Sequence, residues 1–184
     1  QALGERPTVL MVGTLEPRKG HAQAIAAFEI LWAQGFDVNL VIAGKPGWKI
    51  DGLLSGIQRH PQLGHRLHWF DHPSDEALDA LYRRASGALM ASEAEGFGLP
   101  LVEAASYGKP VLARDIPVFR EVGANAAAYF EGVQPASLAA ALKGWLPSLT
   151  TGDDAASHLT IPWQTWAQSA QQLVACLSCF EPQR

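Results

Sequence analysis

The sequence has little of what marks several large classes of protein. It contains only two cysteines among 184 residues, Cys176 and Cys179, which is too few for the disulfide framework of a small secreted domain. No apolar run approaches the roughly 18 residues of a membrane-spanning helix. The formal net charge of −4 argues against non-specific binding to nucleic acid. These absences favour a reduced, cytoplasmic protein with no nucleic-acid partner.

Common nucleotide and metal motifs are absent as well. There is no G-x-G-x-x-G run and no G-x-x-x-x-G-K-[ST] run, so neither the dinucleotide fingerprint nor the P-loop applies. The histidines show no metal-ligand spacing, and the C-L-S-C pair ends a predicted helix instead of opening one after a strand, as a redox pair usually does. We therefore expect no metal and no bound cofactor.

What the sequence does contain is an alternation of apolar, strand-like runs with helical patterns. The predicted strands are residues 8–14, 38–45, 65–72, 87–92, 110–116 and 127–130. The predicted helices are residues 21–35, 50–60, 74–85, 99–108 and 135–146. Strands joined by helices in this rhythm pair in parallel through right-handed crossovers. The fold class is therefore α/β, a Rossmann-like, doubly wound parallel sheet.

The first candidate site follows the first predicted strand. Ligands of such sheets bind at the carboxyl ends of the strands. Here the strand ends at Gly13 and Thr14, and the cationic pair Arg18 and Lys19 follows before a helix. Two cations beside the free N–H groups of a helix N-terminus can hold a phosphate. The alternative is an ordinary basic loop that caps a helix.

The second candidate site is the run EGFGLPLVE, residues 95–103. Gly96 and Gly98 let the backbone approach a ligand closely. The N–H groups of Phe97, Gly98 and Leu99 would point outward at the N-terminus of the following helix. This geometry predicts an anion site made of backbone amides.

Two carboxylates flank that run, Glu95 and Glu103. A carboxylate accepts two hydroxyl donors at once, and the paired hydroxyls of a sugar or ribose ring match it. The alternative is that Glu95 is solvated and that Glu103 only complements the helix dipole.

A third candidate is the turn at the end of the third predicted strand, which holds Phe70, Asp71 and His72. Its backbone can meet a flat ring. The sequence provides no partner that would make Asp71 or His72 part of a catalytic triad, and a solvated turn is the alternative.

The sequence resembles the C-terminal domain of the retaining GT-B glycosyltransferases of family 4, over roughly residues 7–180. The resemblance rests on VGTLEPRKGH, LVIAGKPGW and LYRRASGALMASEAEGFGLPLVEAASYGKPVLA. Its signature is the E-x7-E pattern from Glu95 to Glu103. The implied fold is one half of a GT-B fold, in which the C-terminal domain binds a nucleotide-sugar donor and the N-terminal domain binds the acceptor.

The resemblance also implies roles for the candidate residues. Arg18 and Lys19 would neutralise the donor diphosphate, assisted by the amides of residues 97–99. Glu95 would accept hydrogen bonds from the transferred sugar, Glu103 would hold the ribose hydroxyls, and the turn after the third strand would border the base. Glu95, Arg18 and Lys19 are thus the catalytic candidates. Thr14 stands where many members carry arginine, and Asp71 where they usually carry glycine.

The resemblance divides the chain into four parts. Because the chain begins at Gln1, residues 1–7 are interpreted as the remnant of an interdomain linker, followed by the nucleotide-sugar domain at 8–147. Residues 148–161 predict a polar loop. Residues 162–184 predict a helix and tail that cross back towards the N-terminal domain, and part of the helix's apolar face should be under-packed. That face carries Trp163, Trp166, Leu173, Val174 and Leu177.

The implied activity is transfer of a hexose, with retained configuration and without a metal, to a glycan or lipid-linked acceptor. Because GTLEPRK and AGKPGW resemble bacterial mannosyltransferases of polysaccharide assembly, GDP-mannose is favoured over a UDP-sugar as donor. The domain alone should transfer poorly, and the whole protein can associate peripherally with the inner face of the membrane. The alternatives are a non-catalytic sugar-nucleotide-binding or scaffold module, and a related GT-B phosphorylase or epimerase. No pyridoxal-bearing lysine motif of a phosphorylase is present.

Overall fold

The computed structural model describes residues 3–149 and 166–178, and the first of these ranges forms a single parallel sheet with helices on both faces. The six strands run in the spatial order β3-β2-β1-β4-β5-β6, and every neighbouring pair is parallel. The strands are β1 (Thr8–Val12), β2 (Asn39–Ala43), β3 (Leu67–Phe70), β4 (Gly87–Met90), β5 (Val111–Arg114) and β6 (Ala128–Phe130). This is the doubly wound order of a Rossmann-like sheet, so the predicted fold class is confirmed.

A helix follows each strand, and one further helix comes last in the described part of the chain. They are α1 (His21–Ala33), α2 (Asp51–Gln58), α3 (Asp75–Arg84), α4 (Leu99–Ser106), α5 (Pro117–Gly123), α6 (Pro135–Trp145) and α7 (Trp166–Ser178), with 3-10 turns at Pro17–Lys19 and Leu146–Leu149. The cap predicted for α3 is present, since the Ser74 hydroxyl accepts a hydrogen bond from the backbone N–H of Ala77 at 3.2 Å. Helix α5 was not predicted, and the segment 148–161, predicted as loop, begins inside the second 3-10 turn.

Each strand divides its side chains between two apolar layers, because successive side chains of a strand point to opposite faces. In β1, Val9 and Met11 pack with α1 and α6, whereas Leu10 packs with α3, α4 and α5. All three side chains are at most 3% exposed. The sheet is thus buried on both faces, as its continuous apolar strands require.

The strand order reverses between β1 and β4, which lie side by side in the middle of the sheet. Chains that leave these two strands turn away to opposite sides, and a crevice opens at their carboxyl ends. The segments in this crevice are the ones that the sequence singled out, the loop 13–20 after β1 and the loop 91–98 after β4.

The C-terminal helix α7 has every described side chain exposed, from residue 167 to residue 178. Leu173, Val174 and Leu177 are each more than 60% exposed, which agrees with the expected under-packing of its apolar face. Residues 150–165, which include Trp163, lie outside the described part of the chain. None of the helices in the described ranges has the length and apolar character needed to cross a membrane.

Candidate nucleotide-sugar site

The centre of the crevice is an ion pair between the two loops. The Lys19 ammonium lies 2.5 Å from Oε1 of Glu95, and the hydroxyl of Ser92 donates to the same oxygen at 2.7 Å. Both members of the pair are nearly buried, with side chains 13% and 10% exposed. The fold therefore brings together two residues that stand 76 positions apart in the sequence.

Arg18 supplies a second positive charge to the same carboxylate. Its guanidinium lies 3.4 Å from Oε2 of Glu95, donates to the backbone oxygen of Ala94 at 2.9 Å, and forms an ion pair with Glu16 at 2.9 Å. The backbone N–H of Glu93 in turn donates to the oxygen of Arg18 at 2.8 Å. These bonds fix one loop against the other, so the cationic pair has a defined position before any ligand binds.

The start of α4 presents backbone amides next to these charges. Gly98 precedes the helix with φ of +85°, and a Cβ at this position would lie 2.9 Å from the ring of Phe119, so only glycine fits there. Phe97 and Leu99 are exposed, at 57% and 45%. Within the described ranges, no residue accepts a hydrogen bond from the N–H groups of residues 97–99. These free donors at a helix N-terminus fit the predicted anion site.

Glu103 lies one turn into α4 and faces the neighbouring helix. Its Oε2 accepts a hydrogen bond at 2.7 Å from the hydroxyl of Tyr82, which is buried in α3. Among the described residues no hydrogen bond or ion pair joins Glu103 to the Lys19–Glu95 pair. The two acids of the E-x7-E pattern thus have different surroundings, one among cations and the other beside a tyrosine.

The remaining predicted residues lie along the same edge of the sheet. Gly13 sits under Lys19, since a Cβ built on it would lie 3.6 Å from the ammonium nitrogen. Thr14 packs against the loop after β2, whose Gly47 N–H donates to Leu15 at 2.9 Å. Phe70 ends β3, two strands away from β1, and the turn continues through Asp71 and His72, with the imidazole of His72 beside the Asp71 carboxylate. Within the described ranges this turn makes no hydrogen bond or ion pair with Arg18, Lys19 or Glu95.

The electrostatics keep the Glu95 carboxylate ionised. Burial favours the neutral form, but the hydrogen bonds from Lys19 and Ser92 and the charges of Lys19 and Arg18 outweigh it and hold the pKa of Glu95 below its ordinary value. Because Arg18 also pairs with Glu16, two carboxylates balance the two cations, and an anionic ligand would compete with Glu16 and Glu95 for Arg18 and Lys19.

His21 is a site residue that the sequence did not reveal. It opens α1, lines the crevice with Lys19 and Glu95, and is 2% exposed. Burial, and then the nearby charge of Lys19, lower the pKa of His21 to about 4. The imidazole is therefore neutral near pH 7. Its Nδ1 has no hydrogen-bond partner among the described residues.

We expect this histidine to make stability depend on pH. Its pKa of about 4 in the folded state lies below the 6.5 of an exposed histidine, so the unfolded chain binds the proton first as the pH falls. The His21 contribution is complete above about pH 6.5 and is lost between about pH 6.5 and 4, by about 3 kcal/mol in total and about 2 kcal/mol by pH 5.

Urea unfolding at about pH 7.5 and pH 5 measures this loss. The His21→Gln variant should lose less stability over that interval than the unaltered chain, while His65→Gln, at an exposed position, should lose as much. Buried His68, whose pKa is also lowered, mainly by burial, contributes a loss common to the unaltered chain and His21→Gln. Equal losses in all three would contradict the buried, neutral state of His21.

Arg114 supports the crevice from below. It ends β5, is 5% exposed, and donates to the backbone oxygen of Ala91 through Nε at 3.1 Å and through Nη2 at 2.9 Å. It also bonds the side chain of Gln23 on α1 and the backbone of Gly132. Burial lowers the pKa of this guanidinium. The arginine thus ties the ends of β4 and β5 to α1, the helix that follows the loop 13–20.

Comparison with known proteins agrees with this geometry. Residues 1–149 match the family described as glycosyl transferases group 1. The chain belongs to this family. The sequence resemblance to GT-B glycosyltransferases is thereby confirmed. In the described ranges of this family member, no three His, Cys, Asp or Glu side chains gather into a group that could hold a metal ion.

Individual relatives of this group 1 domain are mannosyltransferases. The chain is 47% identical over 181 residues to the serotype-specific mannosyltransferase WbdA of Escherichia coli, covering 98% of this chain but 22% of the relative. It is 33% identical over 118 residues to the O-antigen chain mannosyltransferase B of Escherichia coli, covering 64% of this chain and 31% of that protein. The chain thus spans about a fifth to a third of the length of these curated relatives.

A solved structure shares the fold of the domain. Anabaena HepE, solved in complex with UDP and glucose, superposes with a TM-score of 0.74 at 20% identity, over 97% of this chain and 50% of that protein. At this identity the likeness establishes the fold.

Proposed function

We propose that this domain binds the nucleotide-sugar donor of a retaining mannosyltransferase, with GDP-mannose as the donor favoured over UDP-sugars. The observation that carries the proposal is the Arg18–Lys19 pair, held on Glu95 at the switch point of the sheet. The preference for mannose rests on the 47% identity to WbdA, a mannosyltransferase. The acceptor, a glycan or a lipid-linked glycan, would bind to an N-terminal domain of the full-length protein, at the cytoplasmic face of the membrane.

The proposed chemistry is stabilisation of the leaving group. When the bond from the anomeric carbon to the diphosphate breaks, negative charge grows on the phosphate oxygens. In this proposal Lys19, Arg18 and the amides of residues 97–99 would face that growing charge, and donors fixed in this way stabilise the transition state more than the ground state. Glu95 would accept hydrogen bonds from the sugar, and Glu103 from the ribose.

A panel of GDP-, UDP- and ADP-sugars tests the proposal by thermal unfolding of the chain. A ligand that binds only the folded state raises the midpoint, by roughly 5–10 °C at a hundred times its dissociation constant. GDP-mannose is expected to give the largest shift. Lys19→Ala and Glu103→Ala should each reduce the shift. The site assignment is wrong if no sugar nucleotide shifts the midpoint, or if neither substitution changes a real shift.

A non-catalytic module that binds sugar nucleotides is the competing proposal. It predicts the same shifts in this panel but no transfer by the full-length protein. Mannose transfer by that protein, lost on Glu95→Gln, would exclude this alternative.

A further inference from the structure

The carboxylate of Glu103 is held by Tyr82, a residue to which the proposed function assigns no role. Tyr82 donates its hydroxyl to Oε2 of Glu103 at 2.7 Å. The tyrosine is 2% exposed. Burial, and then the negative charge of Glu103, raise the pKa of Tyr82, so the hydroxyl keeps its proton. One carboxylate oxygen of Glu103 therefore has a permanent donor in the protein.

Tyr82 is itself held in place by other residues of α3 and by Tyr107 at the end of α4. Its ring stacks on that of Tyr107, with centroids 5.0 Å apart and planes inclined by 9°. The Tyr107 hydroxyl donates to Asp79 at 2.7 Å, and Arg83 binds both oxygens of Asp79 at 2.8 and 3.0 Å. This network joins α3 to the end of α4, so it restricts the position of the Tyr82 hydroxyl.

The other oxygen of Glu103, Oε1, makes no hydrogen bond or ion pair within residues 3–149 and 166–178. A carboxylate can accept hydrogen bonds from two neighbouring hydroxyls. It binds them more strongly when its plane is already oriented, because the side chain then loses less conformational freedom on binding.

We propose that Tyr82 is a positioning residue for donor recognition, which orients the Glu103 carboxylate towards the 2′- and 3′-hydroxyls of the donor ribose. The inference rests on the proposed function, in which Glu103 holds those hydroxyls. Tyr82 acts through Glu103 and does not touch the donor. Its contribution should therefore appear only for ligands that carry the ribose hydroxyls.

The test compares ribonucleotides with their dideoxy forms in the Tyr82→Phe variant. Titration calorimetry measures the affinities of GDP, UDP and their 2′,3′-dideoxy analogues. For the nucleotide that binds, Tyr82→Phe should weaken the ribose form about fivefold, the effect of one lost hydrogen bond, and leave the dideoxy form nearly unchanged. Damage to the fold would weaken both forms equally, so the ratio of the two affinities separates positioning from structure.

Matched variants complete the experiment. Tyr129→Phe removes a hydroxyl that donates only to the backbone, to Phe119 and Ala124 at 2.9 Å, and should leave the ratio unchanged. Glu103→Ala should abolish the preference for the ribose form. If Glu103→Ala abolishes it and Tyr82→Phe does not change it, this inference alone is overturned. If neither GDP nor UDP binds the unaltered chain, the proposed function falls, and the inference falls with it.

Discussion

Replacing Lys19 by methionine is expected to weaken the binding of a nucleoside diphosphate to this chain about a hundredfold, the upper range for a lost hydrogen bond between charged groups. The ammonium is 13% exposed and is already fixed by Glu95 at 2.5 Å. A diphosphate that enters the crevice therefore meets a desolvated, oriented cation. Methionine is an unbranched side chain one heavy atom shorter than lysine, so it keeps most of the apolar stem while it removes the charge and its three donors.

Titration calorimetry with GDP and UDP measures this loss, and Lys143→Met is the matched control. Lys143 lies in the last turn of α6, with its ammonium 5.9 Å from the ring centroid of Phe36, and it has no contact with the crevice. Its replacement should leave the affinity unchanged. Similar affinities in the Lys19→Met variant and the unaltered chain would show that Lys19 does not bind the diphosphate.

Replacing Glu95, the ion-pair partner of Lys19, separates the contribution of phosphate binding from that of sugar binding. Glu95→Gln removes a negative charge beside the proposed diphosphate position, so the affinity for GDP should not fall and is expected to rise. The additional affinity of GDP-mannose over GDP should fall, because the carboxylate that accepts the sugar hydroxyls is gone. A fall in the affinity for GDP itself would show that Glu95 acts through the position of Lys19 instead of through the sugar.

Replacing Gly44 by alanine is expected to destabilise the fold by at least about 3 kcal/mol. Gly44 follows β2, and a Cβ on it would lie 1.9 Å from the backbone oxygen of Gly13, which follows β1. The atom that the methyl group would meet belongs to the backbone, so no side-chain rotation relieves the clash. The strands must separate at the edge where Gly13 underlies Lys19.

Chemical unfolding of Gly44→Ala and Gly56→Ala tests this expectation. Gly56 lies inside α2, and a Cβ on it would meet nothing within 4 Å. The same substitution should therefore stabilise the protein there by up to about 1 kcal/mol, since alanine is the better helix former. The prediction fails if the two variants are equally stable. If Gly44→Ala destabilises the protein and Gly56→Ala stabilises it, the close approach of the backbone at the sheet edge is the cause of the lost stability.

The sequence predicted elements where a local signal was strong. The serine cap and the acids of the first turn predicted the start of α3, and Pro100 and Gly108 predicted the two ends of α4. Helix α5 was missed because it has only seven residues, Pro117–Gly123, too few for a helical period to emerge. The fold class survived this omission, since it depends on the alternation of strands and helices and not on any one element.

Only some residues of the candidate site were predicted from the sequence, for a similar reason. Arg18, Lys19 and Glu95 follow strands in conspicuous motifs, and the parallel fold places their loops at one edge. Ser92 and His21 carried no such signal, because a serine before a carboxylate and a histidine that opens a helix are ordinary local patterns. Their roles depend on burial, which no short window of sequence reveals.

The sequence by itself determined the Rossmann-like fold, the loops that meet at its carboxyl edge, and the residue types available there, because hydrophobic periodicity and glycine and proline positions act over short distances. The tertiary structure alone decided which of these residues touch. Lys19 meets Glu95 across 76 residues, and Tyr82 meets Glu103 across 21. Such pairings, and the pKa values that follow from them, depend on strand order and burial, since charges and hydrogen bonds act through space and not along the chain.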